Sequence, residues 1–458
     1  MRFAQLERAN VAIWGYGREA RSVLVALRRR YPDQPLTLYC KADEAVVAAA
    51  RGDVHLRVVG VPPDADALSA HDFVVKSPGI SAYRPEIPAA RARGTCFTSE
   101  TALWFGENVP DQGGGARVVA VTGTKGKSTT TALIAHLARA LKVRTALAGN
   151  IGLPLLDLDG RRADLWAVEL SSFQTGEAGP VELGVVVSLA EDHLDWHGTR
   201  DRYIADKLKL ADVARTLLVD ADNALLMQRT RAHPRRATFG DPRGWHVAAG
   251  AICRGDQRVF DLGRLPLHGA HNTHNACAAL AAIERLGLDA RAAAPALAGF
   301  RPLPHRLTSL GVRDGIEWID DSISTTPDAA LAALESMHGR AITLILGGHD
   351  RGLDWTGFAR ALHAHAPRAV VTQGAAGPRI ASTLGSAGIG CAVEECPDLA
   401  AAVTRARALA SAGGVVLLSP GAPSFDQFKN YAERGRTFAA LAGFDADAVG
   451  EMAGLGIG

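Results

Sequence analysis

The segment Val118-Val-Ala-Val-Thr-Gly-Thr-Lys-Gly-Lys-Ser128 constrains this chain more than any other. An apolar run that reads as a buried strand ends in a glycine-rich loop. The loop opens directly into Thr129-Thr-Thr-Ala-Leu-Ile-Ala-His-Leu-Ala138, whose apolar spacing is helical. Strand, loop and helix in that order make a phosphate cradle. Backbone N–H groups of Gly123, Thr124, Lys125 and Gly126 and of the helix N-terminus surround phosphate oxygens, Lys127 offsets their charge, and Ser128 or Thr129 offers a hydroxyl to Mg²⁺. The strict phosphate-loop pattern asks for Gly where Val121 stands. The flanking strand and helix favour the cradle over a surface turn with a solvated lysine.

Such a cradle needs a parallel sheet around it, and the chain has room for more than one. Its 458 residues exceed one ordinary hydrophobic core and suit two or three domains. Apolar residues at 47% and charged residues at 21% are those of a globular protein. The net charge of +2, with short scattered clusters such as Arg28–Arg30 and Arg161-Arg162, implies no nucleic-acid partner. Cys40, Cys96, Cys253, Cys277, Cys391 and Cys396 form no C-x-x-C pair, so reduced and mostly buried thiols are expected. The start MRFAQLERANVAIWGYG carries charges where a secretory segment needs an apolar run, and no stretch approaches the length of a membrane span. A cytoplasmic protein with no membrane partner is the expectation.

Short apolar runs at Asn10–Trp14, Leu36–Tyr39 and Asp72–Val75 alternate with helical spacing in a βαβ pattern, and Asn108–Ala116 is turn-rich. Further strands are expected at Val118–Val121, Leu165–Leu170 and Val185–Leu189. After a turn near Leu303-Pro-His-Arg306, others follow at Glu317–Ile319, Ile342–Leu346, Ala369–Thr372 and Val415–Leu418. The reading is therefore α/β with three domains: 1–107, 117–307 and 308–458. The first domain's Gly15-Tyr-Gly-Arg-Glu-Ala20 follows an apolar run as a dinucleotide turn does, or as any tight strand-to-helix turn does.

Four more segments fall after the phosphate loop: Gly149-Asn-Ile-Gly152, Glu169-Leu-Ser-Ser-Phe-Gln174, Glu191-Asp-His-Leu-Asp195 and Asp206-Lys-Leu-Lys209. At the carboxyl ends of neighbouring strands Glu169 and His193 would meet the nucleotide's Mg²⁺. Singly, His193 reads more readily as structural, and Glu169 as a turn cap.

Together TGTKGKST, GNIG, ELSSFQ and EDHLD resemble the Mur ligases, and the glutamate-adding type among them. The likeness extends through Leu303–Arg306, Asp320-Asp-Ser322 and Leu418-Ser-Pro-Gly-Ala-Pro-Ser-Phe-Asp-Gln-Phe-Lys-Asn430. It implies a Rossmann-like N-terminal domain for the UDP of a sugar substrate, a central P-loop ATPase-type domain, and a Rossmann-like C-terminal domain for the amino acid. The implied reaction is ATP-dependent ligation of UDP-N-acetylmuramoyl-L-alanine to glutamate by a monomer, with ATP and Mg²⁺ as cofactors.

By the same resemblance Lys127, Ser128, Thr129, Asn150, Glu169 and His193 would hold ATP and Mg²⁺, with Lys207 as a carbamoylated lysine binding a second Mg²⁺. Asn272, Asn275, Arg306 and Asp321 would contact the nucleotide. Gly15, Tyr16, Gly17 and Arg18 would face the UDP moiety, and Ser171, Ser172 and Gln174 the muramoyl peptide. Thr325, Arg351, Ser424, Phe425 and Tyr431 would line the glutamate site.

One departure bears on the amino acid. The family's Asp-Ser-Lys-Ala-Thr-Asn appears here as Asp321-Ser-Ile-Ser-Thr-Thr326, so Ile323 replaces a lysine. An uncharged side chain pairs with no carboxylate; Arg351 or Lys429 would have to supply the charge. The change fits the family's divergent branch that adds L-glutamate. The competing readings are the D-glutamate enzyme, a folylpolyglutamate synthase, a nucleotide switch and a nicotinamide dehydrogenase. The switch lacks an Asn-Lys-x-Asp motif, and the dehydrogenase leaves the phosphate loop without work.

Overall fold

Strands that are apolar along their whole length dictate sheets covered on both faces, which is the habit of parallel sheets. In the computed structural model, residues 1–109, 116–190, 194–267, 269–301, 303–337, 339–446 and 454–458 are described. Strands β1 (Val11–Trp14), β2 (Leu36–Tyr39), β3 (Leu56–Val59), β4 (Phe73–Lys76) and β5 (Cys96–Thr98) form a parallel sheet in the order β3-β2-β1-β4-β5. All four residues of β1 are buried. The helix Arg18–Arg30 covers this sheet with Ala20, Val23, Leu24 and Leu27 on one face. Glu19 in its first turn and Arg28–Arg30 in its last suit its dipole.

The central sheet holds β6 (Val118–Thr122), β7 (Thr145–Gly149), β8 (Leu165–Glu169), β9 (Val181–Val186), β10 (Ala214–Asp220) and β11 (Arg236–Phe239), in the parallel order β11-β10-β9-β6-β8-β7. Successive strands depart from β6 in both directions, so the crevice above β6 is a switch point where such sheets bind ligands. Three antiparallel strands, β12 (Trp245–Ala248), β13 (Ala251–Arg254) and β14 (Gln257–Asp261), follow. The last sheet contains β15 (Thr308–Arg313), β16 (Ile316–Asp320), β17 (Ile342–Gly347), β18 (Ala369–Gln373), β19 (Ala392–Glu395) and β20 (Val415–Leu418). Its order is β15-β16-β20-β17-β18-β19, parallel except for the antiparallel edge strand β15. Finally β21 (Gly456–Ile457) joins the central sheet antiparallel to β7. Arg139 holds this tail through Gly454 O at 2.7 Å and Gly456 O at 2.9 Å.

The α/β class and three sheet-bearing domains agree with the sequence reading. By packing, the chain falls into two units: Met1–Leu265 with His271–Phe300 and Gly454–Gly458, and Pro266–Ala270 with Arg301–Ala453. One strand is displaced from expectation. The run Val185–Leu189 was expected to be extended, whereas the strand is Val181–Val186. Glu182 and Gly184 interrupt the apolar run there, so composition points too late. Ser188 instead leaves the ladder to bind the phosphate loop, accepting from Thr124 N at 3.0 Å through its carbonyl and from Lys125 N at 2.9 Å through its hydroxyl. All six cysteines are free thiols; Cys40, Cys253 and Cys277 are buried, while Cys96 is exposed, so burial is less general than expected. No helix of the described residues is long and apolar enough to cross a membrane.

Candidate active site

The phosphate loop owes its shape to two glycines. Gly123 (φ 154°) and Gly126 (φ 81°) occupy backbone conformations that side chains disfavour. A Cβ on Gly126 would lie 2.4 Å from Asn275 Oδ1, and one on Gly123 would lie 2.5 Å from Val187. Thr124, buried, shares a 2.7 Å hydrogen bond with Tyr203 Oη and accepts from Ala190 N at 2.9 Å. Lys125 is exposed, Lys127 and Ser128 are half-buried, and Thr129 is buried in the first turn of the helix. Lys127 Nζ donates to Thr124 O at 3.2 Å. Asn275 accepts from Thr130 Oγ1 at 3.3 Å and donates to Asn272 Oδ1 at 3.2 Å, so Asn275 stands against the loop with Asn272 bonded to it.

Glu169 and Asn150 meet across the ends of β8 and β7. Asn150 Nδ2 donates to Glu169 Oε1 at 2.8 Å, and Asn150 N donates to Glu169 O at 3.0 Å. Glu169 is fully buried, and its Oε2 has no hydrogen-bond partner among the described residues. A buried carboxylate oxygen left bare is costly unless a cation faces it, so this donor set fits Mg²⁺. Lys207, buried on the helix Arg200–Val213, donates from Nζ to Gly123 O at 3.0 Å, which brings it to the same loop. His193 lies outside the described residues.

Gly15, Tyr16, Gly17 and Arg18 line a cavity of about 770 Å³ at the switch point between β1 and β4, with Ser77, Gly79, Arg84 and Trp196. Gly149, Asn150 and Gly152 close its central-domain side, and Arg18 Nη1 donates to Gly152 O at 2.8 Å. Tyr16 Oη, Ser77 Oγ and Glu19 Oε2 are buried without partners among the described residues. Polar atoms left bare beside a cavity are what a polar ligand satisfies. Burial pushes the Glu19 carboxyl up to about 7, with Arg18 and Lys76 opposing, and burial brings Lys76 down to about 8.

The ELSSFQ turn is held from within. Gln174 accepts from Ser171 N at 2.9 Å and Ser171 Oγ at 2.8 Å, and donates to Glu19 at 2.8 Å. The Ser172 hydroxyl is buried and turned to His197 Nε2 at 2.9 Å; His197 Nδ1 lies 2.7 Å from Asp206 Oδ2. Tyr83 Oη donates to the same Asp206 oxygen at 2.8 Å, and Lys209 to Oδ1 at 2.6 Å. Burial raises the Asp206 carboxyl, but these donors together hold it below the ordinary range. Sequence reasoning named the Asp206–Lys209 segment and the Gly15–Ala20 turn without assigning roles to Asp206 or Glu19, and it missed His197 and Tyr83; Trp196-His197-Gly198, directly after the acidic segment, offered a signal for His197.

Within the other unit, a second cluster gathers at the ends of β16, β17 and β20. Asp321, completely buried, accepts from Ser324 Oγ at 2.5 Å, Ser419 Oγ at 2.7 Å and Leu307 N at 3.2 Å. Burial raises its carboxyl to about 6 against these bonds and the Arg306 charge. Arg306 Nε is buried without a partner among the described residues. Tyr431 packs edge-on to His305 at 6.0 Å, and its carbonyl accepts from Ser322 Oγ at 2.8 Å. Arg434, fully buried, binds Ser322 Oγ at 3.0 Å, Ser322 O at 2.8 Å and Ala422 O at 2.9 Å. His349 N donates to Pro423 O at 2.8 Å, which sets the loop carrying Arg351 beside Ser424 and Phe425. Ser424 is buried, Thr325 and Ile323 are half-buried, and Arg351 and Phe425 are exposed.

Comparison with known proteins gives this arrangement relatives. The family model described as the Mur ligase middle domain matches residues 121–283, and that described as the Mur ligase glutamate ligase domain matches residues 305–421. A protein of Xanthomonas euvesicatoria pv. vesicatoria named UDP-N-acetylmuramoyl-L-alanine–L-glutamate ligase is 50% identical over 100% of both chains. One of the same name from Micromonospora sp. is 39% identical over 96% of this chain and 97% of its own. The structure of UDP-N-acetylmuramate-alanine ligase from Thermotoga maritima superposes with a TM-score of 0.61 at 19% identity, covering 94% of this chain and 98% of that one. Folylpolyglutamate synthase from Mycobacterium tuberculosis, complexed with ADP, gives 0.57 at 18% identity, covering 72% of this chain and 91% of its own. At these identities the structural likeness is one of fold.

Proposed function

Because the chain belongs to the Mur ligase family, we infer that it joins L-glutamate to UDP-N-acetylmuramoyl-L-alanine at the expense of ATP in peptidoglycan precursor synthesis. The observation that carries this reading is the end-to-end 50% identity with an L-glutamate-adding relative. The strand-loop-helix after the central strand β6, with Lys127, Glu169 and Asn275, supports its ATP-dependent half. The work divides along 1–107 for the UDP sugar, 117–307 for ATP, and 308–458 for glutamate.

The alanyl carboxylate attacks the γ-phosphorus, the bond to ADP breaks, and an acyl phosphate forms. Backbone N–H groups from Gly123 to Thr129 hold the phosphates while Lys127 offsets charge on the transferring group. Asn150 fixes one oxygen of Glu169, leaving Oε2 for a cation. Mg²⁺ would neutralise phosphate charge there, with Glu169, Ser128, His193 and Lys207 as its holders. Lys207 as an ammonium repels a cation, so its part requires carbamoylation by CO₂. Asn272, Asn275, Arg306 and Asp321 are assigned to the nucleotide. Ser171 and Gln174 shape the turn that faces the muramoyl peptide, while the Ser172 hydroxyl serves that turn from inside.

The amine of glutamate then attacks the acyl carbonyl and phosphate departs, a step that depends on orientation and exclusion of water. Arg351 is the cation we assign to a glutamate carboxylate in place of the lysine lost at Ile323, with Thr325, Ser424, Phe425 and Tyr431 around it. Phosphate release with ATP, Mg²⁺ and UDP-N-acetylmuramoyl-L-alanine, comparing the two glutamate enantiomers, tests the reading. Turnover with L-glutamate alone is expected; turnover with D-glutamate alone, or silence with both, overturns it.

A further inference from the structure

We propose that His197 is a positioning residue for the transfer reaction: by bridging Ser172 and Asp206 it fixes the turn after Glu169 against the helix that carries Lys207. The inference rests on the ligase reading only for what those two groups do.

Glu169 ends β8, and Ser172 lies three residues further along the same turn; Lys207 directly follows Asp206 on the helix Arg200–Val213. Between these segments stands one fully buried imidazole. A carboxylate only accepts, so His197 donates from Nδ1 to Asp206 Oδ2 at 2.7 Å. Nε2 is then left to accept from the Ser172 hydroxyl at 2.9 Å. Both bonds are made by one rigid ring, so the distance between turn and helix is set by the ring's width.

Other partners stop the two ends from moving away. Asp206 is engaged on both oxygens, with Tyr83 at 2.8 Å and Lys209 at 2.6 Å, and its carbonyl accepts from Thr175 Oγ1 at 2.7 Å. That fixes the rotation of the helix and hence the direction of Lys207, whose Nζ reaches Gly123 O at 3.0 Å. The ring itself is clamped by Trp196 at 4.5 Å, Phe173 at 5.5 Å and Tyr203 at 5.2 Å between centroids. Tyr203 also binds Thr124 of the phosphate loop at 2.7 Å. His197 thus touches neither reacting atoms nor the cation-facing oxygen, yet joins the segments that bear Glu169 and Lys207. Groups behind metal-facing residues that fix their direction matter in proportion to how tightly they are held.

Two half-bridges test this. His197→Asn retains a donor near the Nδ1 position for Asp206, and His197→Gln retains a partner near the Nε2 position for Ser172. Each breaks the bridge and keeps one contact. The first readout is calorimetric binding of ADP across a Mg²⁺ titration, which needs no turnover; the second is the split between kcat and the KM for L-glutamate. Both variants are expected to need about tenfold more Mg²⁺ for the same ADP affinity and to lose kcat by about 10- to 100-fold with the KM for glutamate unchanged. Ser172→Ala is expected to move both readouts the same way, and adding it to His197→Asn to cost nothing further. If Mg²⁺ dependence and kcat match the unsubstituted protein, or only the melting temperature falls, the positioning role is overturned. Should the His197 variants fail to fold, Ser172→Ala decides by the same readouts. Absence of turnover by the unsubstituted protein would sink the ligase reading, while the Mg²⁺–ADP titration still decides the role of His197.

Discussion

The phosphate loop and the cluster around Ile323 are both sites at the carboxyl ends of parallel strands, yet they are built in opposite ways. Around the loop, recognition belongs to backbone and buried side chains: Gly126 leaves no room for a Cβ against Asn275, and Glu169 is fully buried with one oxygen fixed by Asn150. Around Ile323 the frame is just as buried, with Asp321, Ser424 and Arg434 inaccessible, but Arg351 and Phe425 stand exposed. The difference teaches where a ligase of this type is free to change. The glycines of the backbone cradle leave no room for a side chain at Gly123 or Gly126. Exposed side chains on a rigid frame change at little cost to folding.

The comparison is best broken at its strongest point. Lys127→Ala is expected to cut kcat by about 10³-fold, roughly 4 kcal/mol of barrier, with little change in melting temperature. Phosphate release at saturating ATP checks it, and a loss confined to KM would mean that the loop only binds.

The next effect concerns what burial does to the first unit. Glu19 has its carboxyl raised from 4.5 to about 7, chiefly by burial. It therefore holds a proton more tightly folded than unfolded, and stability falls as pH rises from about 4.5 through about 7, by up to about 3 kcal/mol. Glu19→Gln should flatten that part of the stability–pH curve in urea melts, and an unchanged slope would assign it to other groups. The Gln174 contact should survive, because a glutamine oxygen still accepts.

Smaller effects are expected at the exposed side chains around Ile323. Arg351→Ala should raise the KM for L-glutamate about tenfold, near 1.4 kcal/mol, and leave that for ATP unchanged. A matching change in the KM for ATP would move Arg351 out of the amino-acid site. Smallest of all, Ile323→Lys restores the family's cation at a half-buried position and should lower turnover with L-glutamate by less than about tenfold. Gain of D-glutamate turnover by that variant would make Ile323 itself the selector.

Much of this was legible in the residues, and unevenly. The phosphate loop, GNIG and ELSSFQ announced themselves because their chemistry is contiguous in the chain, and the structure brings Lys127, Asn150, Glu169, Lys207 and Asn275 into one region of the first unit. The strand set at Val185–Leu189 came out late, since an apolar run marks burial without marking where the ladder stops. The antiparallel strands β12, β13 and β14 passed unnoticed because His246, Arg254, Gln257, Arg258 and Asp261 break up their short apolar runs. So did β21, whose two residues gain their place only by meeting β7 and Arg139.

By itself, then, the sequence determined the α/β class, the phosphate cradle and the family, because these depend on local periodicity and on residues near each other in the chain. Tertiary structure alone decided that Ser172 faces His197 rather than solvent, that Glu19 loses its water, and that Tyr83 reaches Asp206. Those outcomes depend on burial and on contacts spanning 25 to 123 residues, and no short window of sequence contains the partner that makes them favourable.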